Sequence, residues 1–467
     1  MKNVAFHNLG CKVNSYEIDV MQQMLQEKGY NIVPFDNFAD IYIINTCTVT
    51  NIADRKSRQM LHRAKQKNPN AIVVAVGCYV QTGKEAVEQD PSIDLAIGNN
   101  RKKDLPMILE AYLKEIEGSA MEDNNCASRC KTLNDTTVID INSTDEYEEM
   151  RLKQTAEHTR AYIKIQDGCN QFCSYCVIPY ARGRVRSRRA EDIIAEIKGL
   201  VQAGYREVVL TGIHISSYGI DFDGRKDYSG NSKLIDLTEK IHEIEGLDRI
   251  RLGSLEPRII TEENAKRLAC LPKICPHFHL SLQSGCDETL KRMNRHYTSG
   301  EYFQSVELLR KEFDCPAITT DVIVGFPGET DEEFAQTKAF LEKVGFYEMH
   351  IFKYSKRAGT RAAVMPEQIA DQIKTRRSNE LLALERAQSM DFRRRYIGKI
   401  VEVLLEEYKE IDGVKYLLGH TKDYVKVAIP ASDEAVPNQL VECSITGFLL
   451  DDILAAQTAI EFCQQMR

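Results

Sequence analysis

Apolar residues recur along the first 115 or so positions in two alternating rhythms. Residues 4–9 (VAFHNL) read as a short apolar strand, and residues 16–28 carry apolar positions at helical spacing up to a stop at Gly29. Residues 40–45 (DIYIIN) predict a second strand and residues 53–67 a basic amphipathic helix that ends before Pro69. Residues 71–76 (AIVVAV) predict a third, buried strand. Strands alternating with helices in this way predict βαβαβ and hence a parallel, doubly wound sheet.

Residues 120–155 break the rhythm. They are rich in Asn, Ser, Thr, Asp and Glu and predict a linker or irregular crossover. Alternation resumes at Arg160, with strands predicted at 161–166, 207–211, 249–252, 277–282, 318–324 and 350–354. The intervening helices have legible starts: Thr261 precedes two glutamates, and Thr330-Asp331-Glu332-Glu333 has a capping-box pattern. Six β/α units in series predict a partial barrel, short of the usual eight. Beyond Tyr396 the runs KIVEVLLEEY, VKYLLGHT, YVKVAI and LVECSITGF are separated by Asp412-Gly413 and by Pro- and Asn-containing stretches. They predict a small antiparallel barrel of the kind that binds single strands. The expected fold class is therefore α/β. It comprises an N-terminal doubly wound parallel domain (1–118), a linker (119–155), a central partial (β/α)6 barrel (156–390) and a C-terminal small antiparallel β-barrel (391–467).

A chain of 467 residues is too long for one ordinary core, which agrees with this division. The start MKNVAFHNLG lacks the basic patch, long apolar stretch and cleavage site of a secretory leader, and no apolar run reaches the length of a membrane span. A cytoplasmic protein without membrane contact is expected. In that compartment fourteen cysteines point to metal ligation or catalysis before disulfides. The formal net charge of −8 argues against a large, indiscriminate nucleic-acid surface. Two local basic runs remain: Arg182, Arg184, Arg186, Arg188 and Arg189, and the stretch 374–399 with eight Lys/Arg against three acids. Charge alone fits a solvated helix face as well as RNA contact.

Cys169, Cys173 and Cys176 stand in DGCNQFCSYC, directly after the first predicted barrel strand. Three thiolates at this spacing can hold three corners of an iron–sulfur cubane and leave the fourth iron open. An open iron can chelate the amino and carboxylate groups of S-adenosylmethionine, whose reductive cleavage yields a 5′-deoxyadenosyl radical. A zinc site, or three unrelated thiols, is the competing reading; closed structural zinc would need a fourth protein ligand. Cys11, Cys47 and Cys78 each follow a predicted strand, in NLGCKVN, INTCTVT and AVGCYV. Strand C-termini of a parallel sheet share one edge, so these three converge as a second trithiolate set, against the alternative of ordinary buried cysteines. Cys126 and Cys130 have metal-like spacing without a third partner and read as linker thiols. Cys270, Cys275, Cys286, Cys315, Cys443 and Cys463 read as packing or surface residues.

The cluster loop on a β/α barrel resembles the radical S-adenosylmethionine superfamily, and the flanking YCVIPYARGRVRSR is similar to the methylthiotransferases within it. That resemblance implies two 4Fe–4S clusters, the auxiliary one on Cys11, Cys47 and Cys78, and a C-terminal TRAM-like RNA-binding domain. It also implies that HLSLQSG and DVIVGFPGE hold S-adenosylmethionine, which singles out Ser281, Gln283, Gly325 and Glu329. Thr211 and Gly212 follow the second barrel strand, at the place where many such enzymes carry Gly-Gly-Glu; the acid is absent here. LGCKVNSYE and NTCTVTNIADRKSRQ look most like the enzymes acting on threonylcarbamoyladenosine in tRNA. Relatives acting on isopentenyladenosine in tRNA or on a ribosomal-protein aspartate are the alternatives, and a non-catalytic RNA-binding iron–sulfur protein is the remote one. The partners implied are a tRNA anticodon loop, a low-potential electron donor and a sulfur donor. The arginines at 393–395, ahead of the last domain, are expected to meet RNA phosphate.

Overall fold

The computed structural model describes residues 1–122, 137–153, 159–224, 230–432 and 435–458. Cys126, Cys130 and Cys463 lie outside the described residues. The chain opens with β1 (Asn3–Asn8), α1 (Lys12–Glu27), β2 (Asn31–Val33), β3 (Ile41–Thr46), α2 (Asn51–Lys67), β4 (Ile72–Gly77), α3 (Cys78–Thr82), α4 (Lys84–Gln89), β5 (Leu95–Ile97) and α5 (Leu105–Glu122). Its sheet is wholly parallel, in the order β2-β1-β3-β4-β5. The three predicted strands are the centre of that sheet. The two three-residue edge strands are too short to show an alternation and so leave no pattern in the sequence.

The second unit runs β6 (Arg160–Asp167), α6 (Ile178–Arg182), β7 (Arg186–Ser187), α7 (Ala190–Gln202), β8 (Glu207–Gly212), α8 (Lys233–His242), β9 (Arg249–Leu252), α9 (Glu262–Ala269), β10 (His277–His279), α10 (Asp287–Arg292), α11 (Ser299–Glu312), β11 (Ala317–Val324), α12 (Asp331–Val344), β12 (Glu348–Lys353) and α13 (Asp371–Arg394). Thr298 and Thr330 both close full capping boxes, on α11 and α12. Six strands, β6-β8-β9-β10-β11-β12, form a parallel, open partial barrel; single bridges at Ile250–Ile274 and Leu255–Leu280 join β9 to β10. β10 leaves the ladder after His279, three residues before the expected end, and rejoins at Gln283 opposite Val322.

The last unit has five strands: β13 (Ile400–Ile411), β14 (Val414–Thr421), β15 (Lys426–Pro430), β16 (Leu440–Leu450) and β17 (Ile453–Thr458). They close a barrel in the order β13-β14-β15-β17-β16. The expectation of a purely antiparallel barrel needs one correction, because the closing pair β15–β17 is parallel. This barrel caps the N-terminal ends of the central strands. Arg160 pairs with Glu406, Arg249 with Glu402 at 2.9 Å, and Arg251 donates to Lys422 O at 2.9 Å.

One apolar core joins the first two units. Tyr16, Ile18, Met21 and Leu25 of α1 share a buried cluster with Ile43 and Val74 of the first sheet and Ile163 and Leu210 of the barrel. Each such buried side chain contributes roughly 1.5–3 kcal/mol, so α1 is a cemented joint. Residues 137–153 are an irregular crossover strapped across the same joint: Tyr16 Oη donates to Met150 O, and Leu152 N donates to Glu196 Oε1 at 2.7 Å.

Each basic run is part buried and part exposed: Arg184, Arg189, Arg376, Arg386, Arg394, Arg395 and Lys399 are exposed. Arg182, Arg186 and Arg188 are each 1 % exposed or less and sit in ion pairs with Glu17, Asp167 and Glu196. In the second run, Arg377 is buried against Glu329, and Arg393 is buried against Glu348. Arg395 donates to Cys315 Sγ at 2.9 Å, and exposed Arg394 pairs with Asp391. Charge counts alone do not separate a solvated arginine from one buried on a carboxylate.

Candidate active site

The first trithiolate set grows from the end of β6. Gly168 precedes Cys169 with φ +73°, and a Cβ there would meet Arg184 O at 1.8 Å, so only glycine fits. Cys169 N is held by Gly183 O at 3.0 Å, and Cys176 N by Cys173 O at 2.9 Å. Backbone and side-chain bonds pin the loop between them. Ser174 N donates to Met293 O at 3.0 Å, and Asn294 Nδ2 to Phe172 O at 3.1 Å. Burial pushes the Cys169 thiol up to about 12, and the adjacent Cys173 adds to it; Cys176 is raised by the same causes. Three cysteines brought together on one loop are a donor set that a bound cation converts to thiolates. Buried Arg295 donates from Nη1 to Cys173 Sγ at 3.2 Å and is placed to offset the negative charge.

The second set lies on the C-terminal edge of the N-terminal sheet. Thr46 and Gly77 are paired in register, so Cys47 and Cys78 leave adjacent strands side by side. Gly77 has φ +98°, and a Cβ there would meet Asn45 Oδ1 at 2.7 Å. A Cβ on Gly10 would lie 3.2 Å from Cys47 Sγ, which brings the Cys11 turn onto the same edge. The three sulfurs act on one another: Cys78 and Cys11 both raise Cys47, whose thiol burial carries to about 11. Cys11 is raised too, chiefly by the protein around it, although its surface is open to an internal lumen. Arg182 donates from Nε to Cys78 Sγ at 3.3 Å, and Asn99 Nδ2 reaches the same sulfur at 3.5 Å. These residues suit a cluster held at three corners.

The two sets face each other. α6, which follows the Cys176 loop, docks on α3: Asn99 Nδ2 donates to Ala181 O at 2.7 Å, and Arg182 pairs with Glu17 of α1 at 2.5 Å. On the far side Arg357, after β12, reaches Asp54 at 2.6 Å and Thr48 Oγ1 at 2.7 Å. These contacts set the C-terminal edge of the N-terminal sheet against the C-terminal end of the barrel, whose interior is the lumen. One surface cleft of about 370 Å³, lined by Arg189, Tyr218, Phe222 and Lys240, touches no cysteine.

Thr211 and Gly212 end β8, with Gly212 paired to Gln166 of β6. Gln283 has φ +72° and is bonded to both sides of β11, through Asp321 O and Ile323 N; Ser281 N is held by Leu255 O. Gly325 turns at φ +71° against Lys374. The Glu329 carboxylate accepts from Gly325 N at 2.7 Å and from Arg377 at 2.6 Å, which fixes the Gly325 turn. Pattern reading missed Arg182, Arg295 and His214. The last, held at about 3 by burial and by Arg295 and Arg258, is a neutral donor–acceptor beside Gln166.

Residues 163–341 match the model of the Radical SAM superfamily, and residues 3–98 match that of the Uncharacterized protein family UPF0004. The chain is 39% identical over 437 residues, 93% of its length and 92% of the relative's, to the Threonylcarbamoyladenosine tRNA methylthiotransferase MtaB of Bacillus subtilis (strain 168). A protein of the same description from Aquifex aeolicus (strain VF5) is also 39% identical, over 91% of this chain and 98% of that one. The tRNA-2-methylthio-N(6)-dimethylallyladenosine synthase of Thermoanaerobacter sp. (strain X514) is 35% identical over 95% of this chain and 91% of that one. Among solved structures, the radical S-adenosylmethionine methyltransferase TsrM of Kitasatospora setae superposes with TM-score 0.53 at 15% identity, covering 78% of this chain and 74% of that one. That likeness speaks for the fold.

Proposed function

The chain belongs to the radical S-adenosylmethionine tRNA methylthiotransferases, and from that premise we propose that it converts N6-threonylcarbamoyladenosine beside the anticodon to its 2-methylthio derivative. The observation that carries this reading is the 39% identity to two MtaB proteins along nearly the whole chain. The dimethylallyladenosine synthase of Thermoanaerobacter sp. is 35% identical, and further MtaB proteins are 35% and 34% identical; the two at 39% favour the threonylcarbamoyl reading over the isopentenyl one.

In this reading Cys169, Cys173 and Cys176 hold the radical cluster, and Cys11, Cys47 and Cys78 hold an auxiliary one. A cluster held by Cys169, Cys173 and Cys176 would supply radical chemistry with S-adenosylmethionine, and one held by Cys11, Cys47 and Cys78 would supply the sulfur chemistry. Thr211, Gly212, Ser281, Gln283 and the Gly325 turn position the cofactor at the strand ends, with that turn fixed by Glu329 and Arg377. Arg295 and Arg182 keep donors on the two sets of sulfurs. The closed joint around α1 shields the lumen from bulk water. The C-terminal unit (391–467) acts as a TRAM-like RNA-binding domain, beside the auxiliary-cluster domain (1–118) and the barrel (156–390). A low-potential electron donor and a sulfur donor complete the cycle, in the cytoplasm. Among the described residues no helix is long and apolar enough to cross a membrane.

Nucleoside mass spectrometry of tRNA from cells with and without the gene tests the assignment. Loss of the 2-methylthio derivative, with its threonylcarbamoyl precursor accumulating, is expected. Loss of the methylthiolated isopentenyladenosine instead would overturn it.

A further inference from the structure

Below the cofactor positions, the lumen wall carries three polar side chains at one level. His279 of β10 lies opposite Thr319 of β11, and Asp321, two residues on, lies opposite His350 of β12. One donor atom from each of His279, Asp321 and His350 lies within 4.8 Å of the other two. The two imidazoles are stacked with centroids 5.9 Å apart. Thr319 Oγ1 holds His279 Nδ1 at 3.0 Å. Nε2 of that ring is buried and makes no hydrogen bond, although Asp321 Oδ2 is 3.3 Å away. Ile323 and Phe352, two residues further along β11 and β12, share this face, so the polar group is rimmed by apolar side chains.

A cation stands over the same lumen. Lys12, next to Cys11, lies within electrostatic range of Arg251, Arg160, His277 and the Glu207 carboxylate. Arg251 is engaged by Glu207 at 2.9 Å and Arg160 by Glu406, whereas Lys12 makes no hydrogen bond or ion pair among the described residues. This neighbouring charge, and the exposure of His350 on the last strand of an open barrel, favour an organic anion with donors of its own over a metal ion.

We propose that Lys12, His279, Asp321 and His350 form the subsite that reads the N6 substituent of the substrate adenosine. Lys12 pairs with its carboxylate, Asp321 accepts from its hydroxyl or N–H, and the histidines fill the remaining positions. The inference rests on the proposed substrate. An isopentenyl group has no polar atom and would leave His279 and Asp321 only each other at 3.3 Å, and sites built to bond a polar group reject analogues that lack it.

Binding of anticodon stem-loops to the cluster-loaded, full-length protein under anaerobic conditions tests this. Three loops carry threonylcarbamoyladenosine, the same base with a carboxamide in place of the carboxylate, or isopentenyladenosine. The native protein is expected to bind the first at least about tenfold tighter than either other loop. Lys12→Met is expected to erase the gap between the acid and amide loops at unchanged iron content. His350→Ala, on an exposed edge, is expected to raise KM for the first loop about tenfold with kcat retained. If both variants discriminate among the loops as the native protein does, the subsite is refuted while the substrate stands. If the native protein favours the isopentenyl loop, the substrate assignment itself falls, and the subsite with it.

Discussion

Arg182 joins the barrel to the N-terminal sheet, and its removal should be felt at both. Its guanidinium meets Glu17 Oε1 at 2.5 Å and Oε2 at 3.1 Å, Asn14 Oδ1 at 2.7 Å and Cys78 Sγ at 3.3 Å. Glu17 is fully buried, as are its other partners Lys102 and Lys164. Burial works to raise the Glu17 carboxyl, but Arg182, Lys102 and Lys164 outweigh it and hold the group well below the usual carboxylate range. Breaking a buried pair by removing one partner costs roughly 3–5 kcal/mol. Because two lysines stay on Glu17, Arg182→Leu should sit at the lower end, about 3 kcal/mol. In a unit of this size that is roughly a 5 °C loss in melting temperature or more. Anaerobic thermal unfolding of the cluster-loaded protein measures it. In a cycle with Glu17→Gln, the two changes together should cost at least about 1 kcal/mol less than their sum, since they remove one shared interaction. The N–H···S bond predicts a second effect: a cluster on Cys78 loses a donor, and its reduction potential falls. Unchanged melting, additive single effects and an unchanged potential would together refute the claim that Arg182 joins the two units.

Anaerobic reconstitution should load about eight iron per chain, and Cys169→Ala/Cys173→Ala/Cys176→Ala should retain about half; a native protein saturating at four would remove the auxiliary site. Glu207 is opposed by burial but held at about 2 by Arg251, Arg160 and Arg249. A depressed carboxyl contributes stability that is present above its unfolded pKa of about 4.5 and lost as pH falls toward about 2, here about 3 kcal/mol. Glu207→Gln should therefore unfold more easily at pH 7 and show a flatter acid limb between those values. Arg394→Gln should lower the salt slope of stem-loop binding by about one counterion if it meets phosphate, whereas Arg393→Gln should act on stability through Glu348; the salt series and a melt separate the two.

What was legible in the sequence was whatever topology turns into position. Cys11, Cys47 and Cys78 are far apart in the chain, yet a parallel sheet has one C-terminal edge. Three cysteines placed just past three strands had to meet there. The Cys169 loop was legible because its spacing is local. The arginines were not legible, because RGRVRSRR has the same composition whether it faces water or a carboxylate. The difference is made by Glu17, Asp167 and Glu196, of which two come from other helices. β2 and β5 left no signal because three residues cannot express a period of two. The parallel closure of the last barrel depends on β17, whose ILAAQT alternates weakly. Residues 137–153 were legible as irregular but not as anchored, since their polar composition is satisfied by partners such as Lys103 N on Glu148 and Tyr147 Oη on Lys164 O. The same distinction bears on mechanism. Residues read by spacing are those that would carry the cofactors, while residues that decide protonation, potential and substrate choice are set by contacts between units. Arg182 belongs to the barrel but serves Cys78, and Lys12 belongs to α1 but lies within electrostatic range of Arg251 and His277 of the barrel. Neither role exists in an isolated unit, so the α1 joint is part of the site and not only of the fold.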